Sequence, residues 1–290
     1  MLSRIARGWG MARASWAVIK RHPRLLLFPV FSGLAFLALL AAMAVSAFTG
    51  TSLIPGIGLR EIVQPDRHLI WVLLLSLYFV ATVIVVFFNA GLVFCALESF
   101  AGREPTLRGG IAAAGRRLPQ ILAWSLVATT IGLLLEALQS LLKDRLGFLG
   151  ALLGFVAEAS WALVTYFVVP VLVVDGVGPL EAIRRSSAIL KRTWGEAVGG
   201  EGGLGLMMLL FLAPALLALA GFGAAGSSSP EAAAVAAALV VLAAVYTVAV
   251  VVVFTALGAV FRASAYVYAT TGTAPSGMDR ALLQATFRRR

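Results

Sequence analysis

Apolar stretches of more than about 18 residues recur along this chain, and they restrict the structures that it can adopt. An apolar stretch of that length is sufficient to cross a bilayer as an α-helix. Hydrophobic residues make up 61% of the 290 positions, whereas a soluble domain is usually about half apolar. The sequence therefore predicts an all-α, polytopic integral membrane protein in contact with the lipid bilayer.

Six stretches are predicted to span the membrane. They are Leu25–Ser46, Leu69–Leu97, Pro119–Gln139, Phe148–Val174, Gly203–Phe222 and Pro230–Tyr268. The last stretch is longer than a bilayer requires, so we expect it to tilt or to project beyond the membrane.

Basic residues are concentrated on one side of these predicted spans. The formal net charge is +10, and every Lys and Arg except Arg60, Arg67, Lys143 and Arg145 lies in the N-terminal segment, the second or fourth loop, or the C-terminal part of the chain. The positive-inside rule then predicts that both termini are cytoplasmic. This placement favours a membrane surface over a nucleic acid as the partner of the positive charge. The Arg-, Ala- and Gly-rich composition is typical of a GC-rich bacterial genome, so the expected location is a bacterial inner membrane.

A basic segment occurs twice, as SWAVIKR from Ser15 and as SSAILKR from Ser186. A Gly-x-x-Pro sequence begins at Gly102, Gly176 and Gly272, after the second, fourth and sixth spans. Glycine permits the turn out of one helix, and proline is tolerated in the first turn of the next. We expect each following segment to be an amphipathic helix at the membrane interface.

This pattern predicts a single membrane domain, residues 1–290, built from three repeats of one interfacial helix and two spans. The repeats are residues 1–101, 102–175 and 176–271, and residues 272–290 form a basic tail helix. The alternative is that these segments are ordinary cytoplasmic loops whose arginines only set the topology.

Basic residues of the interfacial segments are predicted to contact anionic lipid headgroups or a membrane or cytoplasmic protein partner. These residues are Lys20, Arg21, Arg116, Arg117, Arg184, Arg185, Lys191 and Arg192.

Four polar residues in the spans are candidates for an intramembrane site: Glu158, Glu136, Asn89 and Thr129. Glu158 shares a helical face with two glycines, so we expect it to face other helices and to form a hydrogen bond near Thr129. That geometry requires the third and fourth spans to form a hairpin that turns near Lys143.

Glu158 and Asn89 each have two alternative roles. Glu158 is either a hydrogen-bonding residue that holds helices together or a proton or cation site. Asn89 either forms a hydrogen bond between helices or lines a pore. Glu136 is placed to pair with Lys143 or Arg145 near the outer surface.

The motif in this chain that matches an enzyme signature lacks the sequence context that the signature requires. The segment from Gly200 to Gly205 matches GxGxxG, but no strand precedes it, so we interpret it as a flexible joint before the fifth span. Cys95 is the only cysteine, and His22 and His68 lie on opposite sides of the predicted membrane. We therefore expect no metal, no cofactor and no enzymatic activity.

Three sequences carry a resemblance to known proteins: SWAVIKRHPRLLLFPVFSG from Ser15, the FFNAGLV sequence from Phe87, and YFVVPVLVVDGVGPLEAIRRSSAILKRTWGE from Tyr166. Over nearly its whole length, the chain resembles a family of bacterial six-span membrane proteins of unknown function. It is more distantly similar to the membrane domain attached to some glycerophosphodiester phosphodiesterases. That relation implies no catalysis, because the soluble phosphodiesterase domain is absent.

Two functions remain open from the sequence. The first is a non-enzymatic inner-membrane protein that organises lipid or a partner protein through its basic interfacial helices. The alternative is a transporter or channel for a small solute, an ion or a lipid, with Glu158 as its intramembrane polar site.

Overall fold

The computed structural model describes residues 13, 15–49, 67–225 and 230–272, and every regular element in these ranges is helical. Residues 15–21 are helical and precede a short 3-10 turn, Pro23–Leu26. The helices that follow are α1 (Leu27–Thr49), α2 (Arg67–Phe100), α3 (Leu107–Arg116), α4 (Leu118–Leu146), α5 (Phe148–Val164), α6 (Val168–Asp175), α7 (Pro179–Ala225) and α8 (Pro230–Thr271). The all-α prediction is confirmed for the described residues.

Five stretches among the described residues are long and apolar enough to cross a membrane. They are Pro23–Val45, Val72–Phe100, Leu118–Leu146, Phe148–Asp175 and Ala237–Thr271. The predicted fifth span, Gly203–Phe222, corresponds to a shorter apolar stretch of α7, Gly202–Ala218. The chain therefore has the helices of a membrane protein, and a sixth span stays a prediction.

Helix α7 corrects the expectation of a flexible joint at Gly200–Gly205. The helix runs from Pro179 to Ala225, and residues 200–205 are helical throughout. A glycine lowers helix stability by only about 1 kcal/mol relative to alanine. Opening the segment would instead break several backbone hydrogen bonds, which explains why the helix continues.

The glycines of the three Gly-x-x-Pro sequences form the predicted turns. Gly102, Gly176 and Gly272 have φ angles of 74°, 65° and 71°, in the left-handed region that glycine adopts without steric cost. Pro179 begins α7, as expected for a proline in a first helical turn. Pro105 instead lies before α3, and the side chain of Thr106 caps that helix by accepting a hydrogen bond from the Gly109 amide.

The chain divides into two compact units, which are defined here by their sequence ranges. The terminal unit comprises the described parts of residues 1–26, 96–105 and 191–290, and the middle unit comprises those of 27–95 and 106–190. In the terminal unit, the most continuously buried segment is residues 256–261 of α8. In the middle unit, residues 90–93 of α2 are buried.

Helices α4 and α5 of the middle unit form the predicted hairpin, which turns at Gly147 with a φ angle of 56°. A Cβ atom at Gly154 would lie 2.5 Å from Gln139 Cγ, so the two helices approach closely there. The rings of Trp124 and Trp161 stack between the helices with centroids 6.1 Å apart. Small residues permit this close packing in a membrane helix pair, as the Gly-x-x-x-Gly spacing indicates.

Candidate functional site

Arg117 joins α3 and α4 and binds the end of α6. Its Nε donates to the Val173 carbonyl oxygen and its Nη2 donates to the Val174 carbonyl oxygen, each at 3.3 Å. These carbonyls belong to the last turn of α6, where a cation is stabilised by the helix dipole. Gln120 Nε2 adds a bond of 3.3 Å to the Gly176 carbonyl oxygen. Arg117 therefore stabilises a helix end inside the middle unit.

Gly176 is required at this position for two physical reasons. Its φ angle of 65° is left-handed, which disfavours every side chain except a few small polar ones. A Cβ atom at Gly176 would also collide with the guanidinium of Arg117.

A network of carboxylates and arginines follows this turn. Arg185 Nη1 lies 2.7 Å from Asp175 Oδ2, and Arg185 Nε lies 2.8 Å from Glu181 Oε1. Arg184 Nε lies 2.8 Å from Glu181 Oε2. Hydrogen bonds from Arg184 and then Arg185 lower the pKa of the Glu181 carboxyl below its ordinary value. Both arginines form these ion pairs while 79% and 44% of their side chains remain exposed, and their predicted contact with lipid or a partner stays a prediction.

Other basic residues of the predicted set are exposed. Lys20, Arg21, Arg116 and Lys191 are exposed, and none of them forms an ion pair with a described residue. The side chain of Arg192 lies outside the described residues. The other seven predicted residues therefore separate into three that are bonded within the middle unit, Arg117, Arg184 and Arg185, and four that form no ion pair with a described residue.

Glu158 does not occupy the predicted position. It is exposed on α5, and no described residue forms a hydrogen bond or ion pair with it. Gly150 and Gly154, on the same helix, are buried against α4 instead. The prediction that Glu158 faces other helices and bonds near Thr129 is wrong for the described residues, although Glu158 follows the two buried glycines on the same side of α5.

Thr129 is fully buried and bonds to a residue that the sequence did not single out. Its Oγ1 lies 3.4 Å from Thr82 Oγ1 of α2, and Thr82 Oγ1 donates to the Tyr78 carbonyl oxygen at 2.8 Å. The signal for Thr82 was its spacing of seven residues from Asn89, two helical turns along the same face. The Thr82–Thr129 contact is one polar interaction between α2 and α4.

Three further polar atoms of the middle unit are buried without a hydrogen-bond partner among the described residues. They are Asn89 Oδ1 of α2, and Gln120 Oε1 and Ser125 Oγ of α4. Asn89 as a whole is half-buried, whereas Ser125 is fully buried. Glu136, by contrast, is exposed, and it forms no ion pair with Lys143, Arg145 or any other described residue.

Among the described residues, no group of three or more His, Cys, Asp or Glu side chains converges in a way that would hold a metal ion. His22 Nδ1 lies 4.0 Å from Glu104 Oε2 in the terminal unit, and Glu104 is almost fully exposed.

The sequence profile of a family of unknown function, DUF6159, matches residues 69–277. The chain belongs to this family. The DUF6159 match includes α2 to α8, and therefore Arg117, the Arg184–Arg185 pair and the polar contacts of α2 and α4. Lys20 and Arg21 precede the DUF6159 match. No curated protein and no solved structure matches the chain.

Proposed function

We propose that this DUF6159 member is a non-enzymatic inner-membrane protein that organises anionic lipid at the cytoplasmic surface. The observation that supports this function is the separation of its basic residues into two groups. Arg184 and Arg185 form ion pairs within the middle unit, and Arg117 donates hydrogen bonds to backbone carbonyl oxygens there. The four exposed cations, Lys20, Arg21, Arg116 and Lys191, remain available for external anions.

The proposal includes the finer architecture that the sequence predicts. Six spans form three repeats of an interfacial helix and two spans, with both termini in the cytoplasm and the exposed cations at the cytoplasmic surface. The relation to the membrane domain of glycerophosphodiester phosphodiesterases is part of this proposal.

The magnitude of the attraction follows from membrane electrostatics. Each Lys or Arg near an anionic leaflet contributes about 1 kcal/mol, and the effect falls off within a Debye length. The four exposed cations would together enrich anionic lipid around the protein strongly at low salt and weakly at high salt. Uncharged lipid would show neither effect.

A quadruple variant tests this function: Lys20→Gln, Arg21→Gln, Arg116→Gln and Lys191→Gln. The matched control removes the same charge from the opposite side: Arg60→Gln, Arg67→Gln, Lys143→Gln and Arg145→Gln. Both proteins are placed in vesicles that contain phosphatidylglycerol and phosphatidylcholine. The enrichment of phosphatidylglycerol around each protein is then measured with spin-labelled lipid at low and high salt.

We expect the quadruple variant to lose the enrichment and its salt dependence while the control keeps both. Equal enrichment in the two proteins would refute the proposed function. The thermal unfolding of the quadruple variant should remain close to that of the wild type, because none of its four residues forms an ion pair with a described residue.

The alternative is a transporter or channel for a small solute, an ion or a lipid. The observation that favours it is the presence of unpartnered buried atoms at Asn89 and Ser125, since intramembrane polar groups often mark permeation paths. Glu158 is less suited to this role because it is exposed. Cation flux in vesicles that Asn89→Leu abolishes and Glu158→Gln preserves would support the alternative.

A further inference from the structure

The terminal unit contains a groove of about 520 Å³ between its N-terminal helical residues, α7 and α8. We name it the aromatic groove and define it by Arg13, Trp16, Met207, Phe211, Tyr246 and Leu257. The volume lies within the range of about 300–1,000 Å³ that is typical of small-molecule sites.

The aromatic groove has an apolar floor and an aromatic rim. Met207 and Leu257 are only 6% and 4% exposed, so they form the floor. Trp16, Phe211 and Tyr246 are each more than a third exposed and form the rim. Such walls favour an aliphatic chain, because burying each CH₂ group contributes about 0.8 kcal/mol.

The hydroxyl of Tyr246 already donates a hydrogen bond within the protein. Its hydroxyl donates to the Phe211 carbonyl oxygen at 2.7 Å, which joins α8 to α7. This hydroxyl therefore has no proton left to donate to a polar solute in the groove. A sugar or an amino acid would leave most of its hydrogen-bonding groups unpaired against these walls, which is costly.

The length of the groove matches one leaflet of a bilayer. Its residues on α8 extend from Tyr246 to Leu257, and 11 residues of helix rise about 16 Å. The hydrocarbon core of a membrane is about 30 Å thick, so each leaflet contributes about 15 Å. One acyl chain of one leaflet can lie along the whole groove.

Arg13 provides the charge at the aromatic groove. It is exposed, and no described residue forms an ion pair with it. Trp16 lies one helical turn further along the chain, and tryptophan is enriched at the level of lipid headgroups. The arginine of this pair is therefore placed to contact an anionic headgroup, and a guanidinium binds phosphate through two parallel hydrogen bonds.

We propose that the aromatic groove binds one anionic phospholipid, with an acyl chain along α8 and the phosphate at Arg13. This site holds a single lipid molecule, which goes beyond a general enrichment of anionic lipid around exposed cations. It does not depend on the proposed function, because Lys20, Arg21, Arg116 and Lys191 do not line the groove.

Native mass spectrometry of the full chain tests the site. The protein is released from discs of phosphatidylcholine that contain a minority of phosphatidylglycerol, and the retained lipids are identified. Ala249→Phe fills the groove, since Ala249 is one of its lining residues. Ala244→Phe is the matched control, because five residues of helix turn it about 140° away from Ala249.

We expect the wild type and Ala244→Phe to retain one phosphatidylglycerol per protein, and Ala249→Phe to retain none. Arg13→Gln should keep a lipid but lower the preference for phosphatidylglycerol over phosphatidylcholine about fivefold, which corresponds to the loss of one interfacial cation. Because Arg13 is exposed, Arg13→Gln should fold. It therefore tests the lipid site even if Ala249→Phe does not fold.

Several outcomes would overturn the proposal. They are retention of phosphatidylglycerol by Ala249→Phe, retention of both lipids without preference by the wild type, retention of a free fatty acid or detergent instead, and recovery of the wild type without lipid. The quadruple variant of the exposed cations should keep its one tightly bound phosphatidylglycerol. The quadruple variant therefore tests the general enrichment of phosphatidylglycerol, whereas Ala249→Phe tests the lipid bound in the groove.

Discussion

Two helices that begin in the middle unit follow a Gly-x-x-Pro sequence, and they pack on the preceding helices in different ways. Helix α3 packs through Gly110, where a Cβ atom would lie 2.7 Å from Cys95 Sγ and 2.9 Å from the Gly91 carbonyl oxygen. The first turns of α7 pack through Ser186, which is fully buried. Its hydroxyl donates to the Val164 carbonyl oxygen at 2.7 Å and accepts from the Phe167 amide at 3.0 Å.

The difference reflects the backbone on which each helix packs. Helix α2 is continuous through residues 90–93, so its backbone bonds are satisfied and a small residue can approach it closely. The chain between α5 and α6 departs from α-helical geometry at residues 165–167, which leaves the Phe167 amide for an external acceptor. The helices that follow two of the predicted turns therefore pack through a glycine in one place and through a hydroxyl in the other.

Among the variants that test this comparison, Gly110→Val should lower the free energy of unfolding the most. The added side chain would overlap Phe28, Cys95 and the Gly91 carbonyl oxygen. Overpacking of this kind lowers the free energy of unfolding by about 1–3 kcal/mol. The measurement is denaturant-induced unfolding of the purified protein in micelles.

Gly115→Val is the matched control, because Gly115 is on the same helix and a Cβ atom there meets nothing within 4 Å. We expect its stability to stay close to that of the wild type. Equal losses in the two variants would contradict the packing of α3 on α2 through Gly110, because valine favours a helix more than glycine does.

Ser186→Ala should have an intermediate effect. It leaves the buried Phe167 amide without its acceptor, and an unsatisfied buried group costs about 1–3 kcal/mol. We expect faster hydrogen exchange at the Phe167 amide as well as a lower free energy of unfolding.

Ser187→Ala is the control for this variant, since the one hydrogen bond of the Ser187 hydroxyl among the described residues goes to the Arg184 carbonyl oxygen of its own helix. Unchanged exchange at Phe167 in Ser186→Ala would contradict the bonding assigned to Ser186.

Removal of the ion pairs of Glu181 should have the smallest effect on the free energy of unfolding, and this effect should depend on pH. The pKa of Glu181 is lowered in the folded protein because its carboxylate accepts hydrogen bonds from Arg184 and Arg185. The stabilisation is therefore complete above the ordinary glutamate pKa of about 4.3 and is lost as the pH falls through the lower folded pKa. Glu181→Gln should lower stability at neutral pH and have less effect in acid.

Glu104→Gln serves as the comparison for this pH dependence, because the Glu104 side chain is 92% exposed and lies 4.0 Å from His22 Nδ1. The difference in unfolding midpoint between the wild type and each variant is measured from neutral to acidic pH. A difference for Glu181→Gln that does not shrink on acidification would be inconsistent with the assigned ion pairs.

Much of the fold was predictable because its signals are local. The apolar stretches, the left-handed glycine at Gly176 and the hairpin of α4 and α5 all follow from residues that are close in sequence. The continuity of α7 was missed, because a cluster of glycines is a weaker determinant than the backbone hydrogen bonds of a helix.

The candidate sites were less predictable, because they depend on which side of a helix is covered. Arg117 and Arg116 are adjacent and have the same charge, yet Arg117 binds the end of α6 and Arg116 is exposed. The aromatic groove was not predicted, because Trp16 and Tyr246 are distant in sequence.

The sequence by itself determined that the chain forms apolar helices of membrane-spanning length and where glycines end several of them. Only the tertiary structure decided how each helix is rotated, and therefore that Glu158 is exposed while Thr129 and Ser186 are buried. The physical reason is that a helix that is apolar on all sides has little periodicity to indicate its buried face. Close contacts between helices, such as those of Gly150 and Gly154, decide that orientation instead.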